Sequence, residues 1–157
     1  PGLPSCQGII IGEAGGIEAA PGGFADQLKA RVGELGLSQN VVFTGFRSDL
    51  AHCLMAMDIV CIPSMNEAFG LSVIEAMAAG CPVVGSDAGA IPELITADRG
   101  RVAPPEDPLA WADALTDLVA NESQRLELGS NAARWINANF GLHYHVDRLT
   151  KLYQAMS

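Results

Sequence analysis

The feature that most constrains this chain is its alternation of short β-branched runs with longer stretches at helical spacing. Gly8-Ile9-Ile10-Ile11 is a compact strand-type run closed by Gly12. Phe24 to Leu35 carries Leu28, Val32 and Leu35 on one helical face and stops at Gly36. Val41 to Thr44 reads as a second strand stopped by Gly45, Ser48 to Met57 as a helix, and Ile59 to Ile62 as a third strand stopped by Pro63. Phe69 to Ala79 is apolar nearly all round, which predicts a helix buried on most faces. Gly80 and Pro82 separate it from a fourth strand at Val83-Val84, and Arg101-Val102 supplies a short fifth. Further helices are predicted over Pro108 to Val119, Ser123 to Ala138 and Leu142 to Met156.

Strands alternating with helices of about ten residues or more specify an α/β fold around a parallel sheet. The strand-type runs are apolar throughout rather than alternating, as they are when helices cover both faces. In such sheets ligands bind beyond the carboxyl ends of the strands. The loops to watch are therefore 12–16, 45–48, 63–70 and 86–90.

Bulk properties narrow the partners. A chain of 157 residues, 49% of them apolar, is long enough for one sizeable core. Eighteen acidic residues against nine basic ones give a net charge of -9, which disfavours nucleic acid or an anionic membrane surface. Cys6, Cys53, Cys61 and Cys81 have no zinc-ligand or CxxC spacing and read as small, buried, reduced side chains of a cytoplasmic protein. No run reaches the ~18 apolar residues of a membrane span. Pro1-Gly2-Leu3-Pro4 has no initiator Met and no charged signal-peptide front, so the expectation is a cut inside a longer protein.

The loop after the third strand is the informative one. From Pro63 it runs Ser64-Met65-Asn66-Glu67-Ala68-Phe69-Gly70-Leu71-Ser72, and a helix containing Glu75 opens near Gly70. The first N–H groups of a helix have no internal partner and, with the macrodipole, suit a phosphate. Gly70 lets a ligand approach the backbone. Across a continuous helix, Glu67 and Glu75 would stand ~12 Å apart along the axis, too far for an acid/base dyad. That separation suits two acceptors gripping the hydroxyl-rich ends of one long ligand, with its phosphates between them.

This segment resembles the E-x7-E signature of the family four (group 1) retaining glycosyltransferases, which have two Rossmann-like domains in the GT-B architecture. The resemblance extends to Val41-Val42-Phe43-Thr44-Gly45-Phe46, to Cys81-Pro82-Val83-Val84-Gly85-Ser86-Asp87 and to Gly89-Ala90-Ile91-Pro92-Glu93-Leu94. It implies a doubly wound parallel sheet of about five strands with helices on both faces. It also implies that residues 1–157 are a single nucleotide-sugar-binding domain. By the same resemblance, Glu67 accepts hydrogen bonds from the transferred sugar, and backbone N–H groups around Phe69, Gly70, Leu71 and Ser72 hold the sugar ring and diphosphate. Glu75 binds the ribose hydroxyls, and Phe46 and Arg47 border the base. The implied substrate is a nucleotide-diphosphate sugar, its hexosyl group passing to a glycan, lipid-linked saccharide or small molecule. No metal and no further cofactor are implied, since helix dipole and basic residues stabilise the leaving diphosphate.

Each role has a plainer rival. Ser72-x-x-Glu75 is also a capping box, with Glu75 folding back on its own helix. Glu67 could be a solvated loop carboxylate and Arg47 a surface charge. Gly12-x-x-Gly15-Gly16 reads as a turn, and His52, His143 and His145 as surface residues, since i and i+2 side chains diverge on a helix. Two other classes stay open: a sugar-nucleotide epimerase of the same architecture, and a non-catalytic flavodoxin-like module. A signalling receiver would need clustered carboxylates after its first strand, where only Glu13 stands.

The resemblance also sets expectations about what lies outside the chain. Family members have, ahead of the segment like Gly8–Gly12, a strand and helix with an Arg and a Lys for the phosphates, and before them an acceptor-binding domain. A peripheral membrane association would come through that domain. Thr96-Ala97-Asp98-Arg99-Gly100 replaces the family's Gly-rich turn. With the family's first strand absent, the segments at 8–11 and 59–62 are expected to close the gap and pair, changing the order 3-2-1-4-5-6 into 2-1-3-4-5, the bared face being covered in a homodimer. The chain alone is expected to bind nucleotide weakly and to transfer no sugar.

Overall fold

Strand pairing sets the architecture, and every ladder between strands is parallel. The computed structural model describes residues 6–13 and 22–156. They fall into two units, Pro1–Leu50 and Ala51–Ser157.

In the first unit, β1 (Gly8–Ile11) lies beside β2 (Val41–Gly45), with Gly8 opposite Val41 and Ile10 opposite Phe43. Between them runs α1 (Phe24–Glu34), in which no residue is fully buried. Its start is steadied by Asp26, whose Oδ2 accepts from the Gly22 N–H at 2.9 Å. Gly36, at φ +68°, turns the chain out of the helix in a conformation that costs an L-residue its Cβ clearance. Gly15 and Gly16, and so the expected turn there, lie outside the described residues.

The second unit opens on α2 (Leu50–Met55), which begins at the division between the units. There follow β3 (Val60–Ile62), α3 (Leu71–Ala78), β4 (Val83–Ser86), α4 (Ile91–Leu94), β5 (Gly100–Ala103), α5 (Pro108–Ala120), α6 (Glu122–Phe140) and α7 (Leu142–Ala155). The sheet order is β3-β4-β5, and all four residues of β4 are buried. Side chains alternate across a strand, so the two faces of β4 meet different helices. Val84 packs with Leu118 of α5 and Leu128 of α6, flanked by Trp111 and Leu115. On the other face, a Cβ at Gly85 would stand 2.6 Å from Ile91 and from Ile95, so the glycine admits α4 close to the sheet. Val73, Ala76 and Met77 of α3 complete the core, each at 0% exposure. Burying side chains of the Val and Met class is worth about 1.5–3 kcal/mol each. Gly129 lets α6 cross the end of α3 at contact distance: a Cβ there would lie 2.0 Å from the Gly80 carbonyl oxygen.

The helix ends follow their sequence signals. Asp107 Oδ1 accepts from the N–H groups of Leu109 and Ala110, with Pro108 in the first position of α5, where its missing donor is not needed. Asn121 Oδ1 accepts from Gln124 N–H and starts α6.

Four expectations are corrected. The single sheet of order 2-1-3-4-5 does not form: among the described residues the strands make two sheets, β1-β2 and β3-β4-β5, without a β1–β3 ladder. Within each sheet the expected neighbours do pair, β1 with β2, β3 with β4, and β4 with β5. Helix α3 is buried along one stripe only; Leu71 is 62% exposed and Glu75 is exposed, because β4, α4 and α6 cover one side of it. Only Cys81 of the four cysteines is buried. Its Sγ donates to the Leu54 carbonyl at 2.8 Å, and burial pushes the thiol above its ordinary pKa. Cys6, just before β1, is exposed, as is Cys61, which borders an open hollow beside Pro63 and Trp111. Finally, α4 has no counterpart among the predicted helices, since one turn is too short to show a periodicity.

Candidate nucleotide-sugar site

The loop after β3 is held by backbone, not by secondary structure. The Glu67 carbonyl accepts from the Ala90 N–H at 2.8 Å, which ties this loop to the one after β4. Gly89 makes the tie possible. At φ +59° it takes a left-handed conformation, and a Cβ there would lie 2.3 Å from the Glu67 carbonyl oxygen. From behind, the Ser86 hydroxyl, fully buried, donates to the Ser64 carbonyl at 2.6 Å. Thus β4 and its loop fix both ends of the segment that carries Glu67.

The carboxylate itself turns inward. Glu67 Oε1 accepts from Gly70 N–H at 2.9 Å and from Phe69 N–H at 3.3 Å. Gly70 is the N-cap of α3, at φ 86° and ψ 41°, and it is buried under Leu94; a Cβ would stand 2.6 Å from Leu94 Cδ1. With the helix opening at Leu71, Ser72 lies inside the first turn and not at its cap. The Ser72–Glu75 capping box is therefore not built, and Glu75 is exposed on the helix.

The expected residues sort as follows. Glu67, Phe69, Gly70, Leu71 and Ser72 come together at the mouth of α3. The N–H groups of Phe69 and Gly70, expected to face a ligand, are engaged by Glu67. Those of Leu71 and Ser72 belong to the first turn and have no intrahelical acceptor. Phe46 and Arg47 follow β2 in the first unit. Phe46 is 71% exposed, and the Arg47 guanidinium meets both oxygens of Asp49, with Nε to Oδ1 at 2.7 Å. Ser86, Gly89 and Ala90, in the loop 86–90 singled out for watching, hold the segment that carries Glu67, although the sequence assigned none of them a role. His52, His143 and His145 are exposed, and among the described residues no group of His, Cys, Asp and Glu could hold a metal ion. Nor is any described helix long and apolar enough to cross a membrane.

Comparison with known proteins bears on this geometry. The family model described as glycosyl transferases group 1 matches residues 3–135. The lipopolysaccharide core biosynthesis mannosyltransferase LpcC of Rhizobium leguminosarum bv. viciae is 36% identical over 144 residues, which are 91% of this chain and 41% of that protein. The D-inositol 3-phosphate glycosyltransferase of Corynebacterium jeikeium is 35% identical over 153 residues, 96% of this chain and 36% of that one. The chain thus spans about two fifths of the length of these relatives. Among solved structures, Anabaena Alr3699/HepE in complex with UDP superposes with a TM-score of 0.89 at 26% identity, over 96% of this chain and 41% of that one. The same protein in complex with UDP-glucose gives 0.83 at 25% identity, over 95% of this chain and 41% of that one.

Proposed function

The chain belongs to the group 1 glycosyl transferases, and from that membership we propose that its loops after β3 and β4 hold the nucleotide-sugar donor of a retaining glycosyl transfer. The observation that carries the reading is the placement of Glu67 at the mouth of α3. Oε1 is committed to two backbone N–H groups, which fixes the carboxylate and leaves Oε2 to accept from hydroxyls of the transferred sugar. The first-turn N–H groups of Leu71 and Ser72, with the positive end of the helix, take the diphosphate. Glu75, exposed on α3, takes the ribose, and Phe46 and Arg47 border the base. The relatives named above support the class of reaction, and the solved complexes show a homologous fold holding UDP and UDP-glucose.

The chemistry asked of these residues is electrostatic. As the bond from the anomeric carbon to the diphosphate breaks and one to the acceptor oxygen forms, negative charge gathers on the leaving phosphate. Fixed N–H dipoles stabilise that charge without reorganising. Further cationic groups belong, on this reading, to the strand and helix that family members carry ahead of the β1 segment, and the acceptor site to the domain before them.

The test is calorimetry on the full-length protein with a panel of nucleoside diphosphates and nucleotide sugars, UDP and UDP-glucose among them. At least one nucleotide sugar should bind and then be consumed with an acceptor, the product keeping the anomeric configuration of the donor. Conversion of the nucleotide sugar to its epimer, or binding of none, would overturn the proposal.

A further inference from the structure

We propose that Phe140, at the far end of α6, is a positioning residue for Glu67, acting through Phe69. Phe69 supplies one of the two N–H groups on the Glu67 carboxylate, and no strand or helix holds it: α3 begins beyond it, at Leu71. Its ring is held instead. Phe140 meets it edge-on, with centroids 6.2 Å apart and planes at 73°. Behind Phe140 stands Trp135, at 5.5 Å and 54°. The Arg99 guanidinium lies over the Trp135 ring, 4.2 Å from its centroid, and Arg99 Nε donates to the Leu94 carbonyl at 2.8 Å. Leu94 in turn closes over Gly70, the second donor to Glu67. The brace therefore returns to its starting point: Phe69, Phe140, Trp135, Arg99, Leu94, Gly70.

The circuit is not ordinary core packing. Phe69 is 55% exposed and Phe140 38%, so burial stabilises them less than it does the interior residues. What the pair adds is direction: an edge-to-face contact favours one relative orientation of the rings. Fixing the Phe69 ring fixes the peptide whose N–H faces Glu67 Oε1. The end of α6 is steadied for this by Asn139, whose Nδ2 donates to the Trp135 carbonyl at 2.8 Å.

The catalytic consequence rests on the donor-site reading above, but the brace is tested without it. In the full-length protein, hydrogen exchange read by mass spectrometry would follow 65–71 against 73–78 and 83–86. Phe140→Leu should speed exchange over 65–71 by about threefold to tenfold, the range an aromatic pair supports. Exchange over 73–78 and 83–86 should stay as in the wild type, and Phe140→Tyr should restore protection over 65–71. Unchanged exchange over 65–71, or equal acceleration in all three segments, overturns the proposal. Phe69→Leu serves as the matching variant from the other side of the contact and should give the same pattern. Steady-state kinetics then separate the two ideas. If the site is the donor site, Phe140→Leu raises the donor KM more than it lowers kcat. If Glu67→Gln leaves donor binding untouched, the donor-site reading fails while the exchange result still decides the brace.

Discussion

The two units of this chain differ in how they are held together. Every buried hydrophobic residue described, from Leu54 to Ile136, lies in Ala51–Ser157. In Pro1–Leu50, β1 exposes Ile9 and Ile10 at 40% and 36%, and α1 has no buried residue. Yet both units follow the same sequence grammar of β-branched run, glycine stop and amphipathic helix. The difference teaches that the pattern specifies elements, whereas the number of layers around a strand decides which elements are buried. Strand β4 has helices on both faces and carries the loop that clamps Glu67. The fixed geometry around Glu67 is thus built where the core is, whereas Phe46 and Arg47 belong to the unit with no buried hydrophobic residue described.

The contrast is broken most severely at Gly89. Alanine there is strained at φ +59° and places a Cβ inside the Glu67 carbonyl contact, so the loop must leave its clamp. Gly89→Ala in the full-length protein should lower transfer by about 100-fold or more, since small misplacements of a site cost that much. Its stability should fall by about 1–3 kcal/mol, the usual cost of a strained backbone, with the fold retained. Activity within a few-fold of wild type would mean that the clamp does not set the site.

Gly129→Ala attacks the thicker unit where α6 crosses Gly80. Overpacking of this kind typically costs about 1–3 kcal/mol. A chemical melt should show that loss, with nucleotide affinity changed much less. A neutral result would show that α6 can withdraw from α3 without consequence.

Native-state hydrogen exchange sharpens the comparison directly. In the 157-residue chain taken alone, amides of β1 and β2 should exchange well ahead of those of β4, because local opening is easiest where few apolar contacts must be broken. Equal protection would remove the distinction between the units.

The smallest effect is expected at Arg47. Its pairing with Asp49 is exposed, with side chains at 45% and 43%, and such pairs contribute about 0–1 kcal/mol. Arg47→Ala should leave the melting temperature nearly unchanged, and a several-fold loss of nucleotide affinity would support the proposed place of Arg47 beside the base.

Much of this was legible in the sequence, and the remainder was not for identifiable reasons. Strand β1 occupies the run Gly8–Ile11 that its β-branched residues mark, and α5 starts at the Pro108 that follows its Asp107 cap. Helix α3 starts later than its apolar pattern suggests, because a left-handed Gly70 and the Glu67 carboxylate take the positions where Phe69 would have been helical. The pairings β1–β2, β3–β4 and β4–β5 follow the expected order, and only the expected pairing of 8–11 with 59–62 is missing among the described residues, because periodicity is silent about which edges meet. The Phe69–Phe140 contact was hidden for the same reason. Glu67 and Gly70 stand out in the sequence by their place between a strand and a helix, but their mutual hydrogen bond depends on a backbone conformation that no residue count reveals.

The most direct test of the account uses Glu67→Gln in the full-length protein, titrated with the tightest nucleotide sugar of the panel and with its parent nucleoside diphosphate. Glutamine keeps an oxygen for the Phe69 and Gly70 N–H groups while exchanging the second acceptor for a donor. The loop should therefore stay in place and the nucleoside diphosphate should bind as before. Affinity for the nucleotide sugar should fall by about tenfold or more, and transfer by at least ~2 kcal/mol in kcat/KM. Equal weakening of both ligands, or no weakening of the nucleotide sugar, would contradict the claim that Glu67 holds the transferred sugar.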